Sequence, residues 1–128
     1  LENLDKILYE HAWALKETGR DSEAISLFSR LAAEFPNSEL TAEAEYHVGQ
    51  SAYDASKFDR AVAAYSKALM RTSDAALQEK SLYKLGWAYY QQQDYKQAAE
   101  QFNKQSRLFP DSPLSIEATF MQAECSMK

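Results

Sequence analysis

Ala24, Ala61 and Ala98 stand 37 residues apart, and so do Phe28, Tyr65 and Phe102. Tyr9, Tyr46, Tyr83 and Phe120 keep the same step, as do Ala12, Gly49, Gly86 and Ala123. Leu40, Leu77 and Leu114 share it, and Pro36 and Pro110 lie two steps apart with Ser73 between them. A fixed internal period constrains this chain more than any other feature, because copies of one small unit bury their apolar faces only by stacking. The 128 residues read as a single domain of three units, about 5–38, 42–75 and 79–112, with one further helical piece at about 113–128.

Each unit reads as two helices. Three glycines and three prolines are too few for a turn-rich β chain, and alanine, glutamine, glutamate, lysine and leucine favour helix. In the third unit, Leu82, Leu85, Gly86 and Tyr89 mark one face of a first helix from about Leu77 to Gln92. A second helix from about Tyr95 to Leu108 carries Ala98, Phe102 and Gln105 in matching rows. Proline after Phe35 and Phe109 ends a helix, Ser38 and Ser112 are good caps for the next, and Pro113 suits a first helical position. Gly19 fits a left-handed helix end. Gly49 and Gly86 sit mid-helix at a cost of about 1 kcal/mol each, which calls for close approach by a partner helix, with Ala61 or Ala98 facing them.

These columns resemble the tetratricopeptide repeat. "LGWAYYQQQDYKQAAEQF", Leu85 to Phe102, followed by Pro110, matches its order of Leu-Gly, Tyr, an Asp-Tyr turn, Ala, an aromatic and Pro. "GRDSEAISLF" and "SKFDRAVAAY" are its counterparts in the first two units. Departures are Ala12 for glycine, Asp21 for the turn aromatic, Ser73 for proline, Gln105 for alanine and Gln93 for a frequent glycine. The resemblance implies an all-α, right-handed solenoid of antiparallel helix pairs. It also implies protein or peptide binding by first helices lining a concave groove, with no catalysis and no cofactor. The three residues added to the usual unit lie between units, a style similar to repeats of bacterial envelope proteins of the Tol-Pal-associated and outer-membrane-assembly type. That likeness favours the periplasm or envelope, with the cytoplasm left open.

Other function classes find little in the sequence. The net charge is −5 and the fourteen basic residues are scattered, which disfavours nucleic acid. No apolar run reaches the length of a membrane span. The single cysteine, Cys125, makes no internal disulfide and reads as a small apolar helix residue. Glu43 and His47 are spaced i, i+4 and could reach one ion, but two ligands do not make a metal site. The acidic group Glu39, Glu43, Glu45 and Asp54 reads as a solvated face. His11 shares a column with Val48 and Leu85 and is expected on a packing face.

A second aromatic stripe runs beside the packing face of the first helices: Tyr83, Trp87 and Tyr90 in unit three, Tyr9, Trp13 and Lys16 in unit one, Tyr46, Gln50 and Tyr53 in unit two. The last helix continues it with Phe120, Glu124 and Met127. By resemblance these rows include the ones that touch peptide ligands. The candidate partner-binding residues are therefore Tyr9, Trp13, Tyr46, Gln50, Tyr53, Tyr83, Trp87 and Tyr90. The competing reading is that the rings fill the seam between neighbouring first helices. A two-carboxylate clamp for an acidic C-terminus is disfavoured, since the rows hold Tyr, Trp and Gln. Ile116, Phe120, Ala123 and Met127 form an apolar row with no second helix to cover it, so the chain is expected to be part of a longer one or to self-associate through its last helix. The alternatives to a binding scaffold are a spacer or self-association module in a longer array, or an accessory domain of a larger enzyme.

Overall fold

The computed structural model describes residues 2–128. Among them are seven α-helices and no strand: α1 (Leu4–Glu17), α2 (Asp21–Glu34), α3 (Thr41–Asp54), α4 (Phe58–Arg71), α5 (Ala75–Gln91), α6 (Tyr95–Leu108) and α7 (Pro113–Ser126). Each helix packs on the next in sequence, and the first helices α3, α5 and α7 also touch in succession. The short turns inside each pair leave no room for a crossover, so the paired helices run antiparallel. The result is an all-α solenoid of three helix pairs and one further helix.

The turns inside the pairs share one geometry. Gly19, Ser56 and Gln93 occupy the same column and all adopt left-handed backbone, with φ of 81°, 60° and 64°. The residue after each one bonds back to the preceding helix: Arg20 N–H to the Leu15 carbonyl, Lys57 to Ala52 and Asp94 to Tyr89, at 2.8–3.0 Å. This satisfies helix-end carbonyls that would otherwise be orphaned. Glycine holds this conformation freely, whereas Ser56 and Gln93 carry a cost of about 1 kcal/mol.

Between pairs, Phe35-Pro36 and Phe109-Pro110 end α2 and α6. Ser112 caps α7 by accepting from the Leu114 N–H at 3.1 Å, and Pro113 occupies the first helical turn. Ser38 accepts from the Leu40 N–H in the same way, but α3 begins only at Thr41, after a short turn. Both serines also donate to a carboxylate on the first helix of their own pair: Ser38 to Asp5 at 2.6 Å, Ser112 to Glu79. The middle junction has Ala75 and Ala42 in these two columns and makes no such bond. There Asp74 takes over as cap, accepting from the Ala76 N–H at 3.4 Å, which starts α5 at Ala75, two residues ahead of the expected Leu77.

Three buried clusters follow one another along the stack, and Phe28, Tyr65 and Phe102 sit in them fully buried, in the same column. Phe28 and Phe102 each contribute about 2–3 kcal/mol by burial, and Tyr65 less, because its buried hydroxyl has no hydrogen-bond partner. The mid-helix glycines make room for them. A Cβ at Gly49 would lie 2.8 Å from the Tyr65 ring, and one at Gly86 2.8 Å from the Phe102 ring. The close approach is thus made by the aromatic ring, not by Ala61 or Ala98. His11 is exposed, contrary to its column. Val48 and Leu85 pack on the second helix of the preceding pair, and no helix precedes α1 among the described residues. On α7, Ile116, Phe120, Ala123 and Met127 are all exposed, Phe120 to 63%.

Candidate functional site

The second stripe lies on the first helices, and the structure divides its members. Tyr46 is only 6% exposed, with its ring 5.5 Å from Tyr65 and 5.8 Å from His47. It belongs to the packing seam and leaves little surface for a partner. Tyr9, Trp13, Gln50, Tyr53, Tyr83, Trp87 and Tyr90 are half-buried, each with one side against the stack and one side open.

Units one and three build the same cup. Tyr9 and Trp13 meet Phe28 edge-on at 5.8 and 6.5 Å. His47 of α3 enters between them, stacked on Phe28 at 4.9 Å and edge-on to Trp13 at 4.5 Å. Two repeats on, Tyr83 and Trp87 meet Phe102 edge-on at 6.3 and 5.8 Å, and the buried Met121 of α7 joins that cluster. His47 and Met121 stand in one column. The stripe therefore fills the seam between first helices with one edge of its rings and shows the other edge outward. Edge-to-face pairs of this kind add about 1 kcal/mol each beyond burial, which holds the outward edges in fixed orientation.

His47 is 4% exposed. Burial, reinforced by the charges of Lys16 and Lys80, lowers its pKa to about 4, so the imidazole is neutral at physiological pH. Its Nδ1 lies 3.2 Å from the Lys16 ammonium, which can only donate, so Nδ1 accepts and Nε2 carries the proton. Nε2 has no hydrogen-bond partner and lies 4.0 Å from the Glu43 carboxylate. The Glu43–His47 pair seen in the sequence is thus a weak polar contact, and no group of three or more His, Cys, Asp or Glu is placed to hold a metal ion among the described residues.

Lysines cover the rings. Lys16 stands over Trp13 at 5.2 Å, Lys80 over Tyr46 at 4.6 Å and Lys84 over Tyr53 at 5.8 Å. Lys80 also lies 3.7 Å from Glu43. Toward α7 the stripe has other partners: Tyr83 donates to Glu117 at 2.6 Å, and Lys128 lies over Tyr90 and Tyr95. Lys80 and Lys84 were not singled out from the sequence. They occupy rows three residues before and one after Tyr83, and both reach from α5 back onto rings of α3. Glu45, read as part of a solvated acidic face, is buried at 7% exposure. Its column holds Leu8 and Leu82, and that break in an apolar column was the visible signal.

Antiparallel helix pairs stacked in this way define a helical-repeat protein. A family model described as the tetratricopeptide repeat matches residues 9–76, 46–113 and 83–126, and the chain belongs to that family. Repeats of this family generally mediate protein–protein interaction. No curated protein matches the chain. No helix among the described residues is long and apolar enough to cross a membrane.

Proposed function

We propose that this chain is a non-catalytic scaffold that binds an extended segment of a partner protein along its first-helix face. The observation that carries this is the open edge of the half-buried stripe: Gln50, Tyr53, Trp87 and Tyr90, with lysines stacked on several of the rings. The fold does not require these residues, since their columns hold unlike side chains from unit to unit: Trp13, Gln50, Trp87 and Glu124 in one, Lys16, Tyr53, Tyr90 and Met127 in another. Tyrosine and tryptophan give large contact area at low entropy cost and keep a polar tip for hydrogen bonds. Peptides selected from a random library for binding to the chain are expected to weaken at least tenfold against a Gln50→Ala, Tyr53→Ala, Tyr90→Ala variant of unchanged helicity. Equal affinity for the folded variant sinks this reading.

A second reading rests on α7. Ile116 and Met127 are 80% and 83% exposed beside Phe120, an apolar row of the kind that self-association would cover. Sedimentation velocity is expected to show a concentration-dependent dimer that Phe120→Glu abolishes. A native chain that stays monomeric up to about millimolar concentration removes self-association from consideration.

A further inference from the structure

The outward side of the stack carries a groove of a different kind. The second helices α2 and α4 make little direct contact, and α3 forms the floor between them. One wall is small and uncharged: Ser29, Ala32 and Ala33 of α2. The other wall, on α4, carries Arg60, Lys67 and Arg71, with Ala63 and Ala64 between them. Small side chains on both walls let an incoming backbone come close. Arg60 to Arg71 spans about 16 Å along the helix, so the three cations form a stripe rather than a point.

Two observations separate this groove from ordinary surface. The first comes from the repeat itself. Arg60 has Glu23 and Gln97 as its column mates, and Arg71 has Glu34 and Leu108, so these two cations are peculiar to this unit, whereas Lys67 shares its charge with Arg30 and Lys104. At the start of α2 and along it, Arg20 and Arg30 are paired with Glu23 and Glu34 at 2.6 and 2.8 Å. On α4, among the described residues, Arg60, Lys67 and Arg71 form no ion pair, and Arg71 only donates to the Pro36 carbonyl at 2.9 Å. The second is Glu45 on the floor. It is 7% exposed where units one and three hold leucine, and Lys67 and Arg71 of the facing wall act on its charge. A purely apolar helix laid over it would strip water from that carboxylate and from the cations beside it, so the floor selects against a greasy occupant.

We propose that this groove is a second docking site, separate from the first-helix face, and that its occupant is an acidic segment of a partner protein whose carboxylates meet Arg60, Lys67 and Arg71. The groove's α4 wall supplies three positive charges against one carboxylate on the floor, Glu45, which partly offsets Lys67 and Arg71 and leaves the groove net positive on a chain that is acidic overall. Guanidinium groups favour planar bidentate contact with carboxylates. A nucleic acid is the less suited occupant, because three cations within a net charge of −5 neutralise few phosphates.

The probe is a fluorescein-labelled helix-forming peptide of about sixteen residues, rich in alanine and glutamate, with a glutamine-for-glutamate counterpart as control. By fluorescence anisotropy at low salt, the glutamate peptide is expected to bind the chain at least tenfold tighter than the glutamine peptide. An Arg60→Gln, Lys67→Gln, Arg71→Gln variant is expected to lose that preference, while Gln50→Ala with Tyr53→Ala retains it. Glu45→Gln removes the one like charge facing the ligand and is expected to tighten the glutamate peptide severalfold. The proposal is overturned if the triple variant, folded by circular dichroism, binds the glutamate peptide as well as the native chain does. It is equally overturned if Glu45→Gln leaves affinity unmoved, or if a labelled oligothymidine of similar length binds as tightly as the glutamate peptide.

Discussion

The chain is expected to lose about 3 kcal/mol of stability as pH falls from about 6.5 to about 4, with His47 as the cause. The folded state holds His47 neutral, its pKa lowered to about 4 by burial and by Lys16 and Lys80, whereas the unfolded chain protonates it near the ordinary 6.5. Between those values the unfolded state binds more protons, so the contribution is complete above about pH 6.5 and is lost as pH falls toward 4. The groups around the ring are Lys16 and Tyr9 on α1, Glu43 and Tyr46 on its own helix, and Lys80 on α5. The only carboxylate among them, Glu43, is 4.0 Å away and shares its charge with Lys80, too weak a counterion to hold a buried imidazolium. Glu45 works in the opposite sense, since burial raises its pKa and favours the folded state in acid. Urea unfolding at pH 7 and near pH 4.5 isolates the histidine when compared with His47→Met, which copies Met121 from the equivalent cup. The variant is expected to have a much flatter pH dependence, and parallel profiles for the two proteins would refute the assignment.

Gln105→Leu is expected to raise stability by about 2 kcal/mol. Gln105 is fully buried, and neither its amide nitrogen nor its amide oxygen has a hydrogen-bond partner. Burying an amide without partners costs about 1–3 kcal/mol. The same column holds Leu31 in the first unit, also fully buried, so the repeat has already shown that this position between a second helix and the following first helix takes a leucine. The two side chains are close in volume, so neither a cavity nor overpacking offsets the gain. Thermal or urea unfolding of the single variant tests this. A midpoint at or below that of the native chain would mean that the amide is satisfied in the folded protein.

The helices were legible because periodic columns, caps and stops agreed. Phe28, Tyr65 and Phe102 marked the core, Pro36 and Pro110 the ends of second helices, and Gly19 fixed a geometry that Ser56 and Gln93 then follow with less suitable side chains. The candidate face was only partly legible. Helical spacing tells which residues share a face of one helix, but not how far two neighbouring first helices are tilted and offset. That offset decides that Tyr46 is enclosed while Tyr53 stays open, and that Lys80 and Lys84 reach back onto rings of the preceding helix. Glu45 and Gln105 were readable in another way. Each is a polar residue in a column that elsewhere holds an apolar one, and such breaks carry more information than the residues do singly.

The serine–carboxylate bonds have a mechanical meaning. Ser38 with Asp5, and Ser112 with Glu79, latch the turn after a pair to the first helix of that pair; at the middle joint, where Ala75 and Ala42 stand in those columns, the Gln92 amide instead donates to Asp59 at 2.5 Å and the Gln91 amide to the Tyr53 hydroxyl at 3.4 Å. The second and third pairs are joined there by those side-chain bonds and by the buried cluster of Tyr46, Tyr65, Leu77 and Leu85, which spans α3, α4 and α5. The two aromatic cups lie on either side of that shared core, so apolar packing rather than a serine latch sets the spacing at which a partner would meet them.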